Sequence, residues 1–105
     1  MAQFFISYLG GDQPSSPEEG QKHFAKYKEW IASLGDALVS PANPLKATHT
    51  IQADGSISQS SSTHMSGYSI VEAPSIKDAL DMAKACPFLE INGTLEVSEL
   101  IKMNM

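Results

Sequence analysis

The sequence predicts an α+β fold of ferredoxin-like order, β-α-β-β-α-β, with an antiparallel sheet and both helices on one face. Three observations predict it. Two capped helix patterns each lie between β-prone runs. An Asp54-Gly55 hairpin signal separates the two halves. Helices this few, placed between strands, can cover only one face of a sheet.

Each element has its own local reason. Phe4-Phe5-Ile6-Ser7-Tyr8-Leu9 is aromatic and β-prone, and Gly10-Gly11-Asp12 ends it. Ser15-Ser16-Pro17-Glu18-Glu19 starts a helix: Ser16 caps, Pro17 suits the first helical position, and Glu19 completes a capping box. That helix runs to Leu34, with Gly35 as its stop. His23, Tyr27, Trp30, Ile31 and Leu34 recur at helical spacing, and Phe24 widens the stripe. Ala37-Leu38-Val39-Ser40 reads as a short second strand, and Pro41-Ala42-Asn43-Pro44 as an irregular crossing. Thr48 to Gln52 alternates and turns through Asp54-Gly55 into Ser56-Ile57-Ser58. Gln59 to Ser66 is a polar loop, and Gly67 to Ala73 is a strand. Ser75 caps a second helix whose apolar face is Ile76, Leu80 and Ala83, and Pro87 ends it near Ala85 or Cys86. After the Asn92-Gly93 turn, Thr94 to Ile101 alternates as the closing strand.

Bulk properties narrow the function classes. A chain of 105 residues is expected to form one domain over 1–105. The net charge of −5 argues against nucleic acid and anionic membrane surfaces as partners. Cys86 is the single cysteine, so no internal disulfide forms, and a reducing, cytoplasmic setting is expected. The N-terminus lacks the pattern of a signal peptide, and no apolar stretch nears the ~20 residues that span a bilayer. A sheet with one bare, partly aromatic face must meet something, and a second copy of itself is the expected partner. Two sheets facing each other enclose a space suited to a small molecule.

Three stretches, "QFFISYLG", "SPEEGQKHFAKYKEWIASLGDALVSPANPL" and "GYSIVEAPSIKDALDMAKACPFLEINGTLEV", together resemble the YCII-related domain family of the dimeric α+β barrel group. The resemblance covers nearly the whole chain. It implies a homodimer with a cleft between helix, crossing loop and sheet, and no cofactor. A few relatives act on small aromatic or lactone-like compounds. In one branch a first-helix histidine pairs with an Asp that precedes a Pro. His23 falls on that histidine, but Cys86 occupies the Asp position, so the pair is broken. Another branch carries an Asp-Gly-Pro-Phe motif. Here the serine-rich loop ending at His64 stands in its place.

The candidate site residues follow. His23 reads either as a half-buried structural histidine or as an acid–base group, since imidazole titrates near neutral pH. His64 is delivered by a loop to the start of a central strand, beside Met65 and close to Tyr68, and reads equally as a pocket residue or a surface one. Tyr27 and Trp30 read as core or dimer contacts, or as a wall stacking on an aromatic ligand. Asn43 and Lys46, in the crossing, offer a donor and a charge, or else form a solvated turn. His49 reads as a solvated strand residue. No short spacing joins the three histidines, so a metal site is not expected. The reading is a small-molecule-binding protein, with a cofactor-free acid–base enzyme of isomerase or lyase type as its catalytic form. The alternative is a non-catalytic dimeric binding or accessory module.

Overall fold

The computed structural model describes residues 1–103; Asn104 and Met105, at the end of the domain expected over 1–105, lie outside them. The element order is β1 (Ala2–Gly10), α1 (Pro17–Leu34), β2 (Leu38–Pro44), β3 (Thr50–Ile51), β4 (Ile57–Ser58), β5 (Met65–Ala73), α2 (Ile76–Lys84) and β6 (Gly93–Glu99). The chain is α+β: one antiparallel sheet in the order β2-β5-β1-β6, two helices, and a separate two-stranded ribbon of β3 and β4.

β1 is central because it pairs on both sides, with β5 and with β6. Side chains alternate between the faces of a strand. Phe4, Ile6 and Tyr8 of β1 and Ser69, Val71 and Ala73 of β5 are therefore buried together. Trp30 of α1 and Ala79 and Ala83 of α2 complete this core, so both helices pack on the same face. On the opposite face Phe5 stacks on Tyr68, with ring centroids 4.9 Å apart.

Local chemistry fixes the helix ends. Ser16 Oγ accepts from the Glu19 amide at 3.2 Å. The Glu19 carboxylate closes the box one residue earlier than the sequence suggests, accepting from the amide and hydroxyl of Ser15. Ser75 Oγ accepts from the Asp78 amide at 3.3 Å at the start of α2.

Several sequence expectations change, among them that β5 starts at Met65 rather than Gly67 and β3 is only Thr50–Ile51. β2 extends through Pro41 and Pro44, because an edge strand tolerates residues that cannot donate to a ladder. α2 buries Ala79 and Ala83, whereas Ile76 and Leu80 are 45% and 43% exposed. Small side chains let the helix lie close to the sheet and turn the larger residues outward. A 3-10 segment, Pro87–Ile91, follows α2 and was not legible as an element. β6 stops at Glu99, two residues short of Ile101.

Candidate active site: an apolar cavity between α1, β1 and β2

A cavity of about 260 Å³ opens on the helix-covered side of the sheet, lined by residues of β1, α1, β2, β5 and the 3-10 segment. An apolar cavity of about 150 Å³ suffices for benzene elsewhere, so this volume suits one substituted ring. His23, Phe24 and Tyr27 reach it from α1, where residues three and four apart share a face. Tyr8 reaches it from β1, Asn43 and Pro44 from β2, and Phe88 from the 3-10 segment.

Two glycines make the walls possible. A Cβ on Gly67 would lie 3.0 Å from the Asn43 carbonyl oxygen and 3.4 Å from Pro44 Cα, so the bare backbone lets β2 close on β5. A Cβ on Gly93 would lie 2.2 Å from the Phe88 ring. That glycine therefore seats the ring, which also packs on Tyr8 at a centroid distance of 5.2 Å.

Behind the apolar lining runs a chain of hydroxyls. Tyr27 Oη and Tyr8 Oη are 2.6 Å apart, and Tyr8 Oη and Ser69 Oγ 2.5 Å apart. Ser69 Oγ donates to the carbonyl of Pro41. Burial pushes the Tyr8 phenol far above its ordinary value, so it stays neutral at physiological pH. Asn43 Nδ2 donates to Ser40 Oγ at 2.8 Å and to the Tyr68 carbonyl at 3.2 Å. Ser66 Oγ donates to the Tyr8 carbonyl at 3.3 Å.

His23 stands between two hollows. One side of it borders the apolar cavity, and it also lines an acidic cleft with Asp12, Glu19 and Glu90. Lys26 bridges Glu90 at 3.1 Å on the exposed side of the helix, an interaction worth little in water.

The structure brings His23, Tyr27 and Asn43 together and places the other candidates elsewhere. Trp30 is 4% exposed and donates its Nε1 hydrogen to the Met82 carbonyl at 2.9 Å, which pins α1 to α2. Tyr68 lies on the opposite face against Phe5. Met65 is half-buried opposite Leu9, and Lys46 is exposed beyond the end of β2. His64 is exposed at a φ of 57°, and its carbonyl accepts from the Gly10 amide at 3.0 Å. None of these five lines the cavity. His49 Nδ1 contacts the Ala47 carbonyl at 2.8 Å in an exposed loop. Among the described residues no group of three or more His, Cys, Asp or Glu side chains is placed to hold a metal ion.

Sequence reasoning missed Tyr8, Phe24, Ser66, Gly67, Phe88 and the supporting Ser69 as parts of the site. Tyr8 and Ser69 had a usable signal: each puts a hydroxyl on the apolar phase of a strand, where a buried polar atom requires a partner. Phe88 had none, because its place depends on the unforeseen 3-10 segment.

The chain is similar in structure to 5-chloro-2-hydroxyhydroquinone dehydrochlorinase (TftG) from Burkholderia phenoliruptrix AC1100, solved in complex with 2,5-dihydroxybenzoquinone. The TM-score is 0.53 at 17% sequence identity, over 90% of each chain. At that identity the likeness shows the fold. No family model and no curated protein matches the chain. Among the described residues no helix is long and apolar enough to cross a membrane.

Proposed function

We propose that this chain binds a small ring compound in the cavity beside His23 and moves a proton on it without a cofactor, as an isomerase or lyase does. The observation that carries the reading is His23 at the border of an apolar cavity and an open acidic cleft. A ring bound on one side meets an imidazole whose other side has a route to water. Imidazole suits general acid–base work because its unperturbed pKa, about 6.5, lies near neutral pH. Tyr27 and Asn43 are the proposed ligand contacts, with Tyr8 and Phe88 as walls. His64, Trp30, Lys46, Met65 and Tyr68 have no part in this site.

The structural neighbour supports the reading at the level of fold, since a small-molecule enzyme is built on the same arrangement of elements. The resemblance to the YCII-related family supports the finer architecture, a ferredoxin-like chain that pairs into a dimeric α+β barrel. A second reading, a binding module without chemistry, is favoured by one observation. Among the described residues no carboxylate hydrogen-bonds the His23 ring to orient it, and Cys86 occupies the position where one family branch has the pairing Asp.

Wash-in of solvent deuterium beside the carbonyl of a small cyclic ketone, 2-cyclohexenone, distinguishes the two. Catalysis predicts exchange above the buffer rate in the wild type. His23→Ala then lowers it by about 10²–10⁴-fold, the usual contribution of a general acid or base. Equal exchange in the variant overturns the role of His23. Binding without exchange above buffer leaves the module reading.

A further inference from the structure

We propose that the ligand of this cavity is a mono-oxygenated ring with an unfunctionalised alkyl end, and that the cavity holds the alkyl end. This rests on the cavity being the ligand site, and it adds which class of ring enters and which way round it sits.

The lining gives the class. The rings of Tyr8, Phe24, Tyr27 and Phe88, with Ala42 and Pro44, make the walls, and among the described residues no Lys, Arg, Asp or Glu lines them. The polar atoms of these walls are turned away from the space. Tyr8 Oη lies 2.6 Å from Tyr27 Oη and 2.5 Å from Ser69 Oγ, so the hydroxyls meet one another behind the rings. The Asn43 amide nitrogen is engaged by Ser40 Oγ at 2.8 Å and by the Tyr68 carbonyl at 3.2 Å. A polar group pushed between these walls loses its water and gains no partner, which is costly. A hydrocarbon group loses nothing and gains by leaving water. At about 260 Å³ the cavity takes a six-membered ring that carries a methyl group.

The rim gives the orientation. His23 is half-buried where the cavity meets the acidic cleft, and Ser66 is exposed near the start of β5. These two polar residues border the space yet keep access to water. The one oxygen of the ring therefore sits at the rim, where His23 and solvent can hydrogen-bond it. A second oxygen on the opposite ring carbon would fall among the aromatic walls, where nothing meets it. The site thus selects against rings oxygenated at both ends, and it does so by desolvation rather than by charge.

Titrations followed by protein NMR test this with three ketones of nearly equal size: 4-methylcyclohexanone, 4-hydroxycyclohexanone and cyclohexane-1,4-dione. Each has a carbonyl for the rim, and they differ at the opposite ring carbon. The methyl ketone is expected to bind about tenfold more tightly than either of the others, the margin an unpartnered buried oxygen gives, and to shift the amide signals of His23, Phe24 and Tyr27. Phe24 is 56% exposed on a helix, so Phe24→Ala removes a wall without opening the core. It is expected to weaken the methyl ketone several-fold, whereas Phe24→Leu, which keeps an apolar wall, holds the affinity within about threefold. Circular dichroism confirms that each variant is folded. If the hydroxy ketone or the dione binds as tightly as the methyl ketone and shifts the same signals, the alkyl end is overturned and the cavity stands as the ligand site. Unchanged affinity in Phe24→Ala would also overturn the inference, because the apolar wall would then hold nothing. If no ketone binds, or the shifts fall outside the cavity, the cavity reading falls and this inference with it.

Discussion

Cys86 sits just beyond the end of α2, 2% exposed, in the core beside both helices. Burial pushes its thiol up from 9.0 to about 11, so the folded state holds that proton longer than the unfolded state does. Tyr8 acts in the same sense, with its phenol raised further by burial. Between the two thiol values the native chain binds more protons than the unfolded chain, so stability falls as pH rises. The contribution is fully present below the unfolded thiol value of 9.0 and is lost as pH climbs towards about 11. We expect the urea midpoint to drop between about pH 8 and about pH 10.5, and the drop to be smaller in Cys86→Ala. Substitution by alanine lowers the midpoint at both pH values by leaving a small void, so the slope is the diagnostic quantity. Equal slopes in the two proteins would show that the thiol is not the titrating group.

At the scale of elements, the close approach of β2 to β5 makes the cavity mouth, and Gly67 permits it. Gly67→Ala places a methyl 3.0 Å from the Asn43 carbonyl, and a strand backbone has little room to yield. The expected cost is about 1–3 kcal/mol, the usual range for overpacking. Thermal melts measure it. An unchanged melt would mean that β2 shifts freely and that the mouth is soft. The same strand shows why only part of the site could be read in the sequence. Capping residues and alternation are local signals, and they locate α1, α2, β1 and β5 closely. Pro41 and Pro44 are local signals of the opposite sense, and only the edge position of β2, a tertiary fact, lets them lie in a strand. Helical spacing placed His23 and Tyr27 on one face of α1, and Asn43 joined them because the crossing runs beside β5. His64 was attractive for its place in the chain. Its positive φ and its carbonyl bond to Gly10 instead leave the ring at the surface, and no local pattern encodes that direction. Trp30 and Tyr27 share the helical stripe, yet one pins the core and the other lines the cavity, a division set by what faces each: Met82 of α2 opposite Trp30, and Tyr8 and Pro41 of the sheet opposite Tyr27.

On the scale of the molecule the chain is a thin slab, 17 Å in its shortest dimension, as one sheet and one helix layer require. The layer of helices leaves the Phe5 and Tyr68 face without a cover of its own. A half-buried aromatic pair of this kind suits a two-fold interface, because stacked rings on one copy meet the same rings on the other. A stable dimer buries about 1,600 Å² in total, which a four-stranded face can supply. We expect the chain to sediment as a dimer and Phe5→Glu to sediment as a folded monomer, since a charge at the centre of such a face has no partner. A Phe5→Glu dimer would place the interface elsewhere. The cavity lies on the helix side of the sheet, lined by α1, β2, Phe88, Tyr8 of β1 and the Ser66–Gly67 end of β5. The monomeric variant should therefore keep its rate of deuterium wash-in into 2-cyclohexenone within about twofold, because neither Phe5 nor Tyr68 lines the cavity. Loss of exchange on dissociation would show instead that the partner copy shapes the cavity, and that the two faces of this sheet act as one site.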